Sequence, residues 1–195
     1  MIFGPILKRP FYARPTIDVA RDLLGKVIVH GPTAGIIVET EAYLGGDDLA
    51  SHSARGITHR TRVIFGPPGH AYVYFIYGMY ECLNIVCEPA GKPGCALVRA
   101  LEPVAGIEIM RRRRPAAHKP EVLANGPGKL TLALAISRAQ NGADLTHGPL
   151  VVREPADSRP FEVQVTPRIG ISQCAELPLR FLVAGNRFVS RKPKI

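Results

Sequence analysis

The sequence predicts an α+β fold: a single compact domain with a curved, mostly antiparallel sheet, flanking helices and one protruding β-hairpin. Three observations carry this. Short β-branched runs recur along the chain, strands and helices do not alternate as a doubly wound fold requires, and Gly (19) and Pro (18) punctuate the 195 residues with turns. Length agrees, because domains cluster at roughly 100 to 150 residues and this chain is a little short for two.

The elements follow in order. IDVARDLL, residues 17–24, spaces its apolar side chains for a helix that Gly25 stops. KVIVHGPTAGIIVETEAY reads as two strands joined by Gly31, Pro32 and Thr33. The polar stretch 44–62 predicts a loop with a short helix around Asp47 to Ser53. Gly66, Pro67, Pro68 and Gly69 then precede a hairpin of strands 71–76 and 79–87, with Tyr77 and Gly78 at its tip. GCALVRALEP supplies another strand, and Pro103 is placed in the first turn of a helix running to about Arg114, where Arg111 to Arg114 suit the negative end of the helix dipole. NGPGKLTLALAIS opens a further helix from a glycine-rich turn, and PLVVRE, FEVQVTPRIGI and PLRFLVAG give short strands before a basic tail, 191–195.

Lys plus Arg number 25 against 16 for Asp plus Glu, a formal charge of +9 that suits a polyanionic partner, nucleic acid before an anionic membrane surface. No apolar run reaches the ~20 residues of a membrane span, and the N-terminus shows no secretory signal and almost no extension for regulatory tails. Cys82, Cys87, Cys95 and Cys174 form no C-x-x-C pair, so a reduced, intracellular, zinc-free protein is expected.

Four of the six tyrosines crowd into AYVYFIYGMYECLNI, residues 71–85, and phenols are a poor choice for packing alone because each needs a hydrogen-bond partner when buried. Tyr72 and Tyr74 share a strand face. Tyr77 at a hairpin tip fits a wedge that enters the minor groove and separates base steps. Asn84, between Leu83 and Ile85, either caps a backbone group or discriminates ligands inside a pocket. On IIVETEAY, alternation puts Glu39, Glu41 and Tyr43 on one face, as a solvated edge or as catalytic carboxylates. Glu39, Glu41, Asp47, Asp48 and His52 are metal-ligand types without metal-site spacing, and no metal or cofactor is expected. GPGK, 126–129, lacks the residues of a triphosphate loop, yet Gly128 and Lys129 at a helix start could hold one backbone phosphate. Aromatic faces, a polar discriminator, a carboxylate and positive charge fit an enzyme that extrudes a base and cuts its sugar bond; a non-cleaving module that recognises damaged or bent DNA is the rival.

VETEAYLG, ASHS, AYVYFIYGMYECLNI, ALVRALEP, GPGKL and PLRF, in this order from about Phe11 to Ser190, resemble the alkyladenine (3-methyladenine) DNA glycosylase family, single-domain type. The resemblance implies base flipping from damaged double-stranded DNA and hydrolysis of the N-glycosidic bond of 3-methyladenine, 7-methylguanine, hypoxanthine or ethenoadenine, leaving an abasic site. It implies that Glu41 is the general base and Arg99 holds water and carboxylate in place. Tyr43, His52 and Tyr74 would sandwich the base, Asn84 would exclude the guanine 2-amino group, and Tyr77 would fill the gap in the duplex. Lys129, Gly128, Arg60 and Arg62 are assigned to the DNA backbone. A monofunctional monomer is expected, in the cytoplasm at the nucleoid of a prokaryote or in a eukaryotic nucleus, without a clear general acid for neutral lesions. Two departures stand out: Gly46 replaces a common proline, which should loosen the loop bearing His52, and the run Arg111 to Arg114 is richer than usual.

Overall fold

The computed structural model describes residues 3–76, 78–157 and 160–190. Its frame is one curved, half-barrel-like antiparallel sheet in which β3 (Ala71–Ile76), β4 (Tyr80–Val86), β5 (Cys95–Ala105), β2 (Thr33–Tyr43), β1 (Val27–His30) and β6 (Leu150–Arg153) lie side by side. Strand β2 is the branch point. One edge pairs with β5, while the other carries β1 opposite residues 33–36 and then β8 (Arg180–Val183) opposite residues 39–41, with β7 (Val163–Thr166) beyond β8. Helices α1 (Arg9–Tyr12), α2 (Thr16–Asp22), α3 (Ile107–Arg113) and α4 (Pro127–Leu134) complete the α+β class expected from the sequence.

The sheet has one face for packing and another for chemistry. Ala71 and Val73 of β3, Leu83 and Ile85 of β4, Ala96 and Val98 of β5 and Ala42 of β2 join the main core with Leu23, Met110 and Leu130. Period-two alternation therefore turns Tyr72, Tyr74, Cys82, Asn84, Cys95, Leu97 and Tyr43 to the opposite face. Simple alternation fails at the middle of β2. Ile37 pairs with Leu101, Glu39 with Ala100 and Thr40 with Val98, so Val38 on one strand and Arg99 on the other are extra residues. These facing bulges reset the phase: Ile37 and Val98 stay in the core and Thr40 donates to the Ala20 carbonyl under α2 at 2.6 Å. Glu39, Glu41 and Arg99 thereby meet on the other side.

Two expectations are corrected. Pro103 does not open a helix; it stays in β5 opposite Gly35, and the helix begins at Ile107. Strand β4 pairs only with residues 95–97 of β5, so Pro103 occupies a flank where the missing N–H is no loss. The helix expected around Asp47 to Ser53 is a single 3-10 turn, His52–Arg55, because the Asp48 carboxylate is taken by the Leu44 N–H and by Arg168. The arginine run, as the helix-dipole reading expects, falls on the exposed last turn of α3. Arg113 donates to the Ala133 carbonyl and Arg114 to the Leu123 carbonyl, both tying down backbone, while Arg111 pairs with Glu108.

Candidate active site

On the chemical face of the sheet lies a cavity of about 450 Å³, in the size range of small-ligand sites. Strands β3, β4 and β5 supply its floor through Tyr72, Tyr74, Cys82, Asn84, Cys95, Leu97 and Arg99; Tyr43 closes the end of β2, and His52, Ile64, Gly128 and residues 169–171 complete the rim.

Beneath the cavity sits a two-carboxylate, two-arginine network. Arg99 bridges the glutamates, its Nε donating to Glu39 Oε1 at 3.0 Å and its Nη1 to Glu41 Oε2 at 3.2 Å. Glu39 further accepts from Arg180 Nε (2.8 Å), the Ser190 N–H (2.5 Å) and the Ser190 hydroxyl (2.8 Å). Glu41 accepts from the Tyr43 hydroxyl at 3.0 Å and the Ile169 N–H at 2.9 Å. Both carboxylates have 0 % exposure, which removes the solvated-edge reading, since β2 is flanked on both sides here by β5 and β8. Their circumstances still differ. Of the Glu39 donors only Arg99 lines the cavity, Arg180 and Ser190 lying outside its lining, whereas all three Glu41 donors belong to residues that line it. Burial raises the Glu41 pKa, with the Glu39 charge adding to it; Arg99, the Ile169 amide and Tyr43 pull the other way.

The rings form a connected wall. His52 lies edge-on to Tyr74, centroids 4.6 Å apart at 75°, and Tyr72 is 5.4 Å from Tyr74 at 33°. His52 Nδ1 bonds the Tyr72 hydroxyl at 3.0 Å, and burial, assisted by the nearby Arg60 charge, lowers the imidazole pKa to about 4, so the ring is neutral at pH 7. Burial pushes the Tyr43 and Tyr74 phenols up, keeping both protonated. Asn84 Nδ2 donates to the Tyr72 carbonyl directly across the strand pair at 3.2 Å, the backbone bond that one reading of the sequence expected, and the residue also lines the cavity.

Of the residues singled out from sequence, Arg99, Tyr43, His52, Tyr74, Asn84 and Gly128 line this one cavity, while Glu41 does not line it and reaches it through its bonds to Arg99, Tyr43 and the Ile169 amide. Arg60 does not extend away from it but lies over the Tyr74 ring, 5.0 Å from the centroid, with its Nε donating to the Tyr72 hydroxyl at 3.3 Å. Arg62 is exposed on the loop before Ile64, and Lys129 donates to the Asn125 side chain at 2.9 Å. Tyr77 lies outside the described residues. Gly128 has a packing reason for being glycine: a Cβ there would meet the Tyr80 ring at 2.7 Å. Gly128→Ala is expected to push Tyr80 off the start of α4, lowering the melting temperature by several degrees and weakening binding to duplex DNA in a fluorescence-anisotropy titration.

Sequence reasoning missed Glu39 as an anchor, Arg180, Ser190 and the Ile169 amide, and also the buried pair Asp48–Arg168. Their partners lie up to 151 residues away, and no local pattern announces such contacts. Tyr72 was visible as the neighbour of Tyr74, and its part in orienting His52 follows from that shared face.

Compared with known proteins, residues 10–187 match the family model described as Methylpurine-DNA glycosylase (MPG). A protein of Methanoculleus marisnigri named "Putative 3-methyladenine DNA glycosylase" is 52% identical over 192 residues, covering 95% of this chain and 99% of that one. Equally named proteins of Methanocella arvoryzae (52% identical, 90% of each chain) and Koribacter versatilis (50% identical, 95% and 93%) match as well. A curved sheet with a ring-walled cavity over a buried carboxylate, matched in this way, defines a DNA glycosylase of base excision repair. The chain belongs to the methylpurine-DNA glycosylase family.

Proposed function

We propose that the protein flips damaged purines out of duplex DNA and hydrolyses their N-glycosidic bond, releasing the base and leaving an abasic site. The observation that carries this reading is the Glu41 carboxylate, held just beneath the cavity by three donors from cavity-lining residues, with one bond on Oε1 and two on Oε2. A carboxylate oxygen with acceptor capacity left can take a proton from water. Glu41 acts as the general base: water adds to the anomeric carbon as its proton passes to Glu41, and the bonding electrons leave with the base. Arg99, tied to Glu39, keeps the Glu41 carboxylate in place.

Tyr43, His52 and Tyr74 hold the extruded base. Alkylation at N3 or N7 leaves a purine cationic, and a cation over an aromatic face gains about 0.5 to 2 kcal/mol, so 3-methyladenine and 7-methylguanine gain most from these rings. Hypoxanthine and ethenoadenine are neutral and rely on shape and weakened pairing, which lowers the cost of flipping. The His52 backbone N–H is proposed to donate to an acceptor at the 6-position of the lesion, with the imidazole neutral beside it. Asn84, fixed by the Tyr72 carbonyl, excludes the 2-amino group of guanine. Tyr77 fills the gap in the duplex, with Lys129, Gly128, Arg60 and Arg62 on the phosphates. No lysine lines the cavity among the described residues, which fits monofunctional hydrolysis rather than Schiff-base chemistry. The protein is proposed to work as a monomer, without metal or cofactor, where DNA is kept: the prokaryotic cytoplasm or the eukaryotic nucleus. No helix among the described residues is long and apolar enough to cross a membrane.

The test is direct. Duplex oligonucleotides with one hypoxanthine or one 7-methylguanine are incubated with the protein and treated with alkali. Strand breaks at the lesion that need both protein and alkali are expected; binding without breaks would establish the non-cleaving rival instead.

A further inference from the structure

The Tyr43 ring has a cation behind it. Arg168 places its guanidinium carbon 4.6 Å from the ring centroid, and because Tyr43 lines the cavity while Arg168 does not, the guanidinium is on the side of the ring away from the ligand space. Arg168 is 3% exposed and its charge is met by a two-pronged pair with Asp48: Nη1 to Oδ2 at 2.7 Å and Nη2 to Oδ1 at 2.7 Å. Its Nη1 also donates to the Ala42 carbonyl at 2.9 Å, and the Leu44 N–H donates to Asp48 at 3.0 Å.

This pair joins three pieces of the cavity wall. Asp48 lies on the loop that ends in His52, Arg168 immediately precedes the Ile169 amide that binds Glu41, and the stacked ring is Tyr43 itself. Gly46, where a proline is common, has φ +55°, which proline cannot adopt, and Asp48 is held two residues later. The charge matters separately. A ring offers one π-system to both faces, so an uncompensated guanidinium behind it opposes a second cation in front, while a neutral purine is little affected.

We propose that the buried Asp48–Arg168 pair positions Tyr43 and sets the balance between cationic and neutral lesions, Asp48 masking the guanidinium that would otherwise repel an alkylated, cationic purine across the ring. The inference rests on the reading that damaged purines bind in this cavity against Tyr43.

Single-turnover release of 7-methylguanine (cationic) and hypoxanthine (neutral) is measured for the wild type, Asp48→Asn and the double variant Asp48→Asn/Arg168→Gln, each below its melting temperature. Asp48→Asn unmasks the guanidinium and should lower the 7-methylguanine to hypoxanthine ratio about threefold or more. The double variant removes both charges together, so no uncompensated buried charge is left behind the ring, and should return the ratio to the wild-type value or above it. A purely structural role would slow both lesions in the same proportion, so an unchanged ratio in Asp48→Asn, or a ratio that stays lowered in the double variant, overturns the proposal. Should the wild type release neither base, the functional reading fails first, and this inference falls with it.

Discussion

Glu41→Gln is expected to bind lesion-containing duplex as the wild type does and to release the base about a hundredfold more slowly, or worse, in single-turnover assays. The glutamine amide keeps the shape of the side chain and can still accept from the Ile169 N–H, but it cannot take a proton from water, and loss of a positioned base costs about 10² to 10⁴ in rate. Arg99 remains anchored by Glu39, so the cavity should keep its form. Wild-type rates in this variant would remove Glu41 from the chemistry.

The same residue fixes a pH dependence. Burial raises the Glu41 pKa, and only the ionised form is a base, so base release should fall as pH drops through that raised value. Stability runs in the opposite sense. A carboxyl with a raised folded pKa is favoured protonated, so ionising it at neutral pH costs folding free energy that is absent at low pH. Glu41→Gln should then melt at or above the wild-type temperature at pH 7 while losing activity, a combination that distinguishes a catalytic carboxylate from a structural one.

Much of this was legible in the sequence. Alternation along AYVYFI assigned Tyr72 and Tyr74 to one face, and the structure uses the intervening Ala71 and Val73 for the core. The ends of α2 and α4 follow Gly25 and the glycine-rich turn at 126–128. What escaped was non-local. Period-two reasoning groups Glu39 with Glu41 correctly, but it gives no sign of the bulges at Val38 and Arg99, because a bulge depends on how two strands register and not on either strand alone. Pro103 reads as a helix starter only if the following residues are taken in isolation; whether its missing N–H matters is decided by where β4 stops pairing with β5. Arg168 and Asp48, 120 residues apart, carry no local signature at all.

The two glutamates of β2 should part company under mutation. Glu39→Gln is expected to destabilise the fold by about 3 to 5 kcal/mol, because it breaks buried ion pairs of Glu39 with both Arg180 and Arg99. At roughly 2 to 4 °C per kcal/mol for a chain of this size, the melting temperature should fall by about 10 °C, read by calorimetry at pH 7. Chemistry should survive in the folded fraction with an altered pH profile. The Glu39 charge is one of the influences raising the Glu41 pKa, and its loss leaves Arg99 to act on Glu41 alone, so the acid limb of base release should move to lower pH. Two carboxylates separated by one residue would then show opposite signatures: removing Glu41 abolishes turnover and spares stability, and removing Glu39 spares turnover and lowers stability. Equal effects on both properties from either change would mean that the network acts as one unit, with Arg99 unable to hold Glu41 once Glu39 is neutral.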